Sequence, residues 1–254
     1  MRRRRGLRWV AVGLLVAVGL YFVVDVVSLQ YLESRGADQI ARTMAAESAT
    51  LDLGNVPFLP GFITGRLGRA EVKVRGASAP GGLRVQSVTT TLRDVHFSPG
   101  RMFALARSSF AARTKVEASQ PLGSIEIAED DLEDFVQRSV PLIGSLQVRA
   151  SGIEVHFLTE GASLSDDDEP SEEEISKPAR YLPKVEAGRI VLVPTSVSQI
   201  DRRFRAEAER IRNLIELPQI PEGLSAVARL GEGVVVVEVQ GAEVELMVGE
   251  GSPE

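Results

Sequence analysis

Sixteen uncharged residues in succession, WVAVGLLVAVGLYFVV from Trp9 to Val24, dominate the hydropathy pattern, and past Asp25 the apolar run resumes as VVSL up to Leu29. As a helix, residues 9–29 span ~31 Å at about 1.5 Å per residue, which matches a hydrocarbon core ~30 Å thick. A buried helix of a globular protein would carry polar positions over that length. The pattern therefore predicts a transmembrane anchor over 9–29, with Asp25 near the outer boundary, where a carboxylate reaches headgroup water. The competing assignment, a cleaved signal peptide, lacks an obvious small-x-small site directly after the apolar run.

Downstream the period changes. Residues 30–50 repeat Leu32, Gly36, Ile40 and Met44 four apart, with Glu33, Arg35, Asp38, Arg42 and Glu47 on the other side. That predicts an amphipathic helix lying against a domain, able to extend the anchor helix. A turn-rich stretch, GNVPFLPGFITGRLG, follows at 54–68, in which prolines and glycines punctuate Val56, Phe58, Leu59, Phe62 and Ile63. Period-two alternation then predicts antiparallel strands at 70–75, 83–97, 112–127 (broken at Pro121), 145–158, 185–197 and 233–248. Short helices are predicted at 129–138, with acids at its start and Pro141 beyond its end, and at 200–215, with Phe204, Ala208 and Ile211 in register. This order is α+β, without βαβ regularity.

Charge sharpens the picture. Arg2, Arg3, Arg4, Arg5 and Arg8 flank the apolar run on its N-terminal side, which predicts a cytoplasmic segment 1–8 and an extracytoplasmic domain over 30–254 in a single-pass cell-membrane protein. With those arginines and Asp25 set aside, 24 basic and 34 acidic residues remain, a balance unpromising for nucleic acid. Eight acids fall within 160–176, EGASLSDDDEPSEEEIS, which predicts a solvated, disordered insertion. A calcium loop of the EF-hand type needs alternating carboxylates and a central glycine, which this contiguous run does not offer. The chain has no cysteine, so disulfides and thiolate chemistry are excluded.

Candidate chemistry is sparse. No HExxH, GxSxG or Walker pattern occurs, and no catalytic residue, metal site or cofactor is assigned. His96 and His156 each sit in a Val-His-Phe triplet at the end of a predicted strand, where alternation points the histidine away from its apolar neighbours and toward the rim or solvent. Glu126, Glu129, Asp130, Asp131 and Asp134 could pair for glycosidase chemistry, but acids at a helix start have a simpler dipole explanation.

Two motifs carry a resemblance. VPFLPGFITGRLGRAEVKVRG at 56–76 and ELPQIPEGLSAVARLGEGVVVVEVQGAEVEL at 216–246 resemble the actinobacterial LmeA-like phospholipid-binding family, with its Pro-Phe-Leu stretch leading to Gly-Arg-Leu and a strand, and its Leu-Pro-x-Ile-Pro turn before a final hairpin. The acidic insertion and the charged helix near 200–212 look like departures. The resemblance implies a tubular lipid-binding fold: a curved antiparallel sheet wrapped around a helix, enclosing an apolar groove. It further implies a non-enzymatic role with phospholipid or a lipid-linked glycan as ligand, in envelope lipid or lipoglycan biogenesis, with a glycosyltransferase as a possible partner. The alternatives are a scaffold for envelope glycan enzymes and a lipid-linked glycan hydrolase.

Within that frame the greasy loop points to the lipid site. Phe58, Leu59, Phe62 and Ile63 are expected to line or gate the entrance, and Arg66 and Arg69 to meet the headgroup phosphate with planar forks of donors. The plainer expectation is that the phenylalanines fill a core below a turn while the arginines face water.

Overall fold

A computed structural model describes residues 3–54, 57–100, 114–158, 178–186, 189–195, 204–212, 215–216 and 224–248, with helix side chains described from Val18 onward. Helix α1 (Arg3–Thr43) is unbroken, so the apolar run and the amphipathic segment after it form one rod of 41 residues. Among the described residues no helix is long and apolar enough to cross a membrane; the side chains of 9–17, the first part of the predicted span, lie outside that set.

The rod stops earlier than residue 50 because its end is built as a Schellman turn. Ala45 adopts φ 46, Ala46 N–H donates to the Ala41 carbonyl at 2.8 Å and Ala45 N–H to Arg42 at 3.3 Å. The chain then reverses into β1 (Ser48–Asp52), which takes three residues expected to be helical. A left-handed alanine is strained, so Ala45→Gly is expected to stabilise the protein by about 1 kcal/mol, read as a higher melting temperature.

The remaining strands form two antiparallel sheets, where a single one was expected. Sheet one contains β1, β2 (Arg66–Ser78), β3 (Arg84–Phe97), β4 (Thr114–Ala128), β11 (Val234–Gly241) and β10 (Leu224–Gly231) in that order, with β12 (Glu243–Val248) also on β4. Sheet two runs β5 (Ile143–Arg149), β6 (Gly152–Phe157), β7 (Ala179–Glu186), β8 (Arg189–Pro194) and β9 (Ile215–Glu216). Segment 145–158 is thus a hairpin, and 233–248 is two strands. The acidic segment 160–176 lies outside the described residues.

Pro121 does not break β4. Before it, β4 pairs β12 through residues 114–119; after it, β4 pairs β11 through 122–128. The proline falls where β4 changes partner and no ladder N–H is required, beside a bulge at Gln120 (φ 47). Helix α3 (Glu129–Ser139) buries Leu132, Phe135 and Val136, as its periodicity predicts. Helix α4 (Arg205–Arg212) falls within the predicted 200–215; Phe204, Ala208 and Ile211 are buried in the expected register, while Ile215 is strand and pairs with β8.

Two apolar clusters form the core. The larger joins α3, α4 and sheet two to one end of sheet one, through residues such as Ile127, Val235, Leu146, Tyr181 and Ile211. The smaller lies at the other end and gathers Phe58, Phe62, Leu67, Ala70, Val95, Val116, Ala118 and Val244.

Candidate functional site

Cross-strand partners in an antiparallel sheet point to the same face. Successive pairings therefore define two rows across sheet one. The first runs Leu51, Val72, Thr90, Gly123, Val239, Ala226, and the second Ala49, Val74, Val88, Ile125, Val237, Ala228. Neither row contains an ionisable side chain. Six strands at about 4.8 Å spacing make each row ~24 Å long; Ile125, Val237, Val239, Ala226 and Ala228 pack in or against the larger cluster, so the part left for an acyl chain lies on β1 to β4.

The position of this face is fixed on three sides. Helix α1 covers the β1 edge: a Cβ on Gly36 would stand 2.5 Å from Leu51 Cδ2, and Glu33 accepts the Leu53 N–H at 2.9 Å. The larger cluster closes one end and the smaller cluster, which Leu92 and Leu224 join from the same face, closes the other. Between them Leu51, Val72, Val88, Thr90 and Gly123 stay half-buried and belong to neither cluster. Gly123 lies in the middle of the first row, its missing side chain leaving space beside Val239. Alternation alone made these positions legible as strand, but not as one continuous surface, because the register is set by partners distant in sequence. On the opposite face Arg93, Gln120, Leu122, Ser225 and Gln240 line a shallow depression.

The greasy loop is a helix, α2 (Phe58–Thr64). Its four first-turn N–H positions explain why. Pro57 and Pro60 carry no donor, and the N–H groups of Phe58 and Leu59 donate to the two oxygens of Asp25 on α1, at 2.8 and 2.5 Å. The cap lies 33 residues away in sequence, so no local signal announced it. Gly65 ends the helix at φ 72, and a Cβ on Gly61 would stand 2.6 Å from the Arg66 carbonyl, so glycine there lets the chain turn directly into β2. Asp25 itself is fully buried. Sequence reasoning placed it at a watery boundary, whereas it is the clasp between α1 and α2.

The six candidate residues divide. Phe58 and Phe62 are buried with ring centroids 5.2 Å apart, Phe62 meets Phe97 at 5.4 Å, and half-buried Leu59 packs on the same cluster. Through Leu92 and Leu224 that cluster abuts the apolar rows. Ile63 points outward and is 68 % exposed. Arg66 and Arg69 are both exposed at the start of β2; Arg69 pairs with Glu71, whose carboxyl is held below its usual range chiefly by the Lys73 ammonium and also by Arg69. For the headgroup assignment, the double substitution Arg66→Glu with Arg69→Glu is expected to weaken extraction of anionic phospholipid from liposomes several-fold at unchanged melting temperature; equal extraction would remove it.

The other candidates for chemistry are engaged structurally or stand apart. Glu129 accepts the Val148 N–H, Glu133 accepts the Leu146 N–H at 3.2 Å, and Glu126 accepts the Ser87 hydroxyl at 2.7 Å, so these carboxylates tie α3 and β4 to neighbouring strands. Burial pushes the Glu133 and Asp131 carboxyls above their ordinary values. His96 is exposed in sheet one, with Nδ1 2.8 Å from the Asp94 carbonyl, and His156 lies in sheet two, so the structure does not bring them together. Among the described residues no group of His, Asp and Glu could hold a metal ion.

Comparison with known proteins gives one result that covers the whole domain. No curated protein and no solved structure matches the chain. A family model does, over residues 23–246, from the last turns of the apolar run to the closing strand and including α2, both rows and both clusters. The chain belongs to the LmeA-like phospholipid-binding family.

Proposed function

We propose that this protein is a membrane-anchored, extracytoplasmic carrier that holds the acyl portion of a phospholipid, or of a related lipid-linked glycan, on the inner face of sheet one, without catalysing a reaction. The carrying observation is the half-buried patch of Leu51, Val72, Val88, Thr90 and Gly123 on β1 to β4, bounded by α1 and by the two clusters and free of ionisable side chains. Sequestering an acyl chain gains ~0.8 kcal/mol per buried methylene, so such a surface needs no polar chemistry to retain lipid. Membership of a phospholipid-binding family supports the ligand class. The arginine-rich N terminus and the uncharged run after it support the anchor and its orientation. On this reading the protein serves envelope lipid or lipoglycan biogenesis, with the exposed polar face of sheet one as the surface for a glycosyltransferase partner.

The test is direct. The full chain, purified in mild detergent and extracted with organic solvent, is expected to yield phospholipid in near-stoichiometric amount by mass spectrometry. A folded protein that releases no lipid, and takes up none from liposomes, would defeat the assignment.

A further inference from the structure

We infer that α2 is a re-entrant wedge sitting within the outer leaflet of the membrane that α1 spans, so that the apolar face of sheet one opens onto acyl chains and not onto water. This rests on the anchor reading and adds to it the depth of the domain. The first ground is length. Asp25 is 16 residues beyond Trp9, ~24 Å along the helix, short of the ~30 Å hydrocarbon thickness. Because Asp25 is bonded to the start of α2, α2 is held at that depth.

The second ground is where the exposed apolar surface of α1 ends. Val26, Val27 and Tyr31 are 40 %, 59 % and 58 % exposed, so exposed apolar side chains continue ~9 Å past Asp25, with the uncharged Gln30 among them. It stops at Tyr31, whose ring lies 5.5 Å from the Arg35 guanidinium. An aromatic followed one turn later by an arginine is the signature of a membrane–water interface. Measured to Tyr31, the span from Trp9 is ~33 Å and fits the bilayer, which leaves α2 below the headgroups beside it.

The third ground is polar satisfaction. A carboxylate at hydrocarbon depth is costly unless it has partners, and so is a helix start with unpaired N–H groups. Asp25 and α2 resolve each other: two N–H groups meet the carboxylate and the other two positions are proline. At the far end Thr64 donates its hydroxyl to the Pro60 and Gly61 carbonyls, and Gly65 N–H bonds Phe62 O. Ile63 then projects from α2 into lipid, while Phe58 and Phe62 on its other side continue into the cluster that ends the apolar rows. Lipid drawn from the outer leaflet would reach those rows past α2 without crossing water.

The cysteine-free sequence permits single labels. Ile63→Cys, Leu20→Cys and Gln86→Cys, all at exposed positions, would each carry an environment-sensitive fluorophore on the full chain reconstituted in phosphatidylcholine–phosphatidylglycerol vesicles. Quenching by acyl-chain nitroxide lipids is compared with quenching by aqueous iodide. The expected result is that labels at 20 and 63 are quenched several-fold more by the lipid probe, and the label at 86 by iodide. A lipid-quenched position 20 with an iodide-quenched position 63 leaves the anchor standing and overturns the wedge. An iodide-quenched position 20 overturns the anchor, and the wedge with it. Position 63 shielded from both probes means that protein, such as a second copy, covers it, and this also overturns the wedge.

Discussion

Asp25→Ala is expected to lower the stability of the full chain by about 3 kcal/mol, because it removes the buried carboxylate that accepts from two backbone N–H groups at the start of α2. For a domain of this size that is a fall of roughly 6 to 12 °C in melting temperature, provided unfolding is two-state. Asp25→Asn retains one acceptor oxygen and turns the other toward a donor as an amide, so it should fall between parent and alanine. The helix content of α1 should survive in both, since the Asp25 carboxylate bonds α2 and the backbone of α1 is unchanged. Circular dichroism melts in detergent would read both quantities, and a melt indistinguishable from the parent would mean that α2 is held by its phenylalanines alone.

Gly123→Ile is expected to separate stability from lipid retention. A Cβ at position 123 meets only ordinary contact, 3.4 Å from Val239 Cβ, and a β-branched residue suits a strand interior better than glycine does. The fold should therefore lose little or even gain. The added side chain occupies the middle of the first row, displacing two or three acyl methylenes at ~0.8 kcal/mol each, so about 2 kcal/mol of binding and roughly thirtyfold in affinity are lost. Titration with a fluorescent phospholipid measures the second effect and a thermal melt the first. Unchanged affinity in a normally melting protein would place the lipid elsewhere.

The sequence was most informative where structure is local. The face of α3 follows from Leu132, Phe135 and Val136, and the register of α4 from Phe204, Ala208 and Ile211. Strands 83–97 and 70–75 were legible from alternation, since each stays on one face over most of its length. Failures cluster where a partner distant in sequence decides the outcome. Pro121 reads as a break until β11 and β12 are seen to divide β4 between them, and 54–68 reads as a loop until Asp25 caps it. The same applies to the site. Phe58, Leu59 and Phe62 were visible as a greasy group, but the surface they adjoin is assembled from β1, β2, β3, β4, β11 and β10, and only cross-strand register reveals it.

The way β4 changes partner sets an order on folding. Its first half is flanked by β12, the last of the described strands, and Val244 on that strand is buried against the same cluster as Phe58 and Phe62. Residues 58 and 244 lie far apart in sequence, so the cluster beside α2 cannot close until residue 244 has been made. A chain ending before Glu243 would retain α1, α3 and sheet two, yet leave Val116 and Ala118 uncovered and an unpaired edge at residues 114–119, open to pairing with another molecule. Truncation before Glu243 is thus felt first where α1 meets α2, and aggregation through the bared edge is its expected mark.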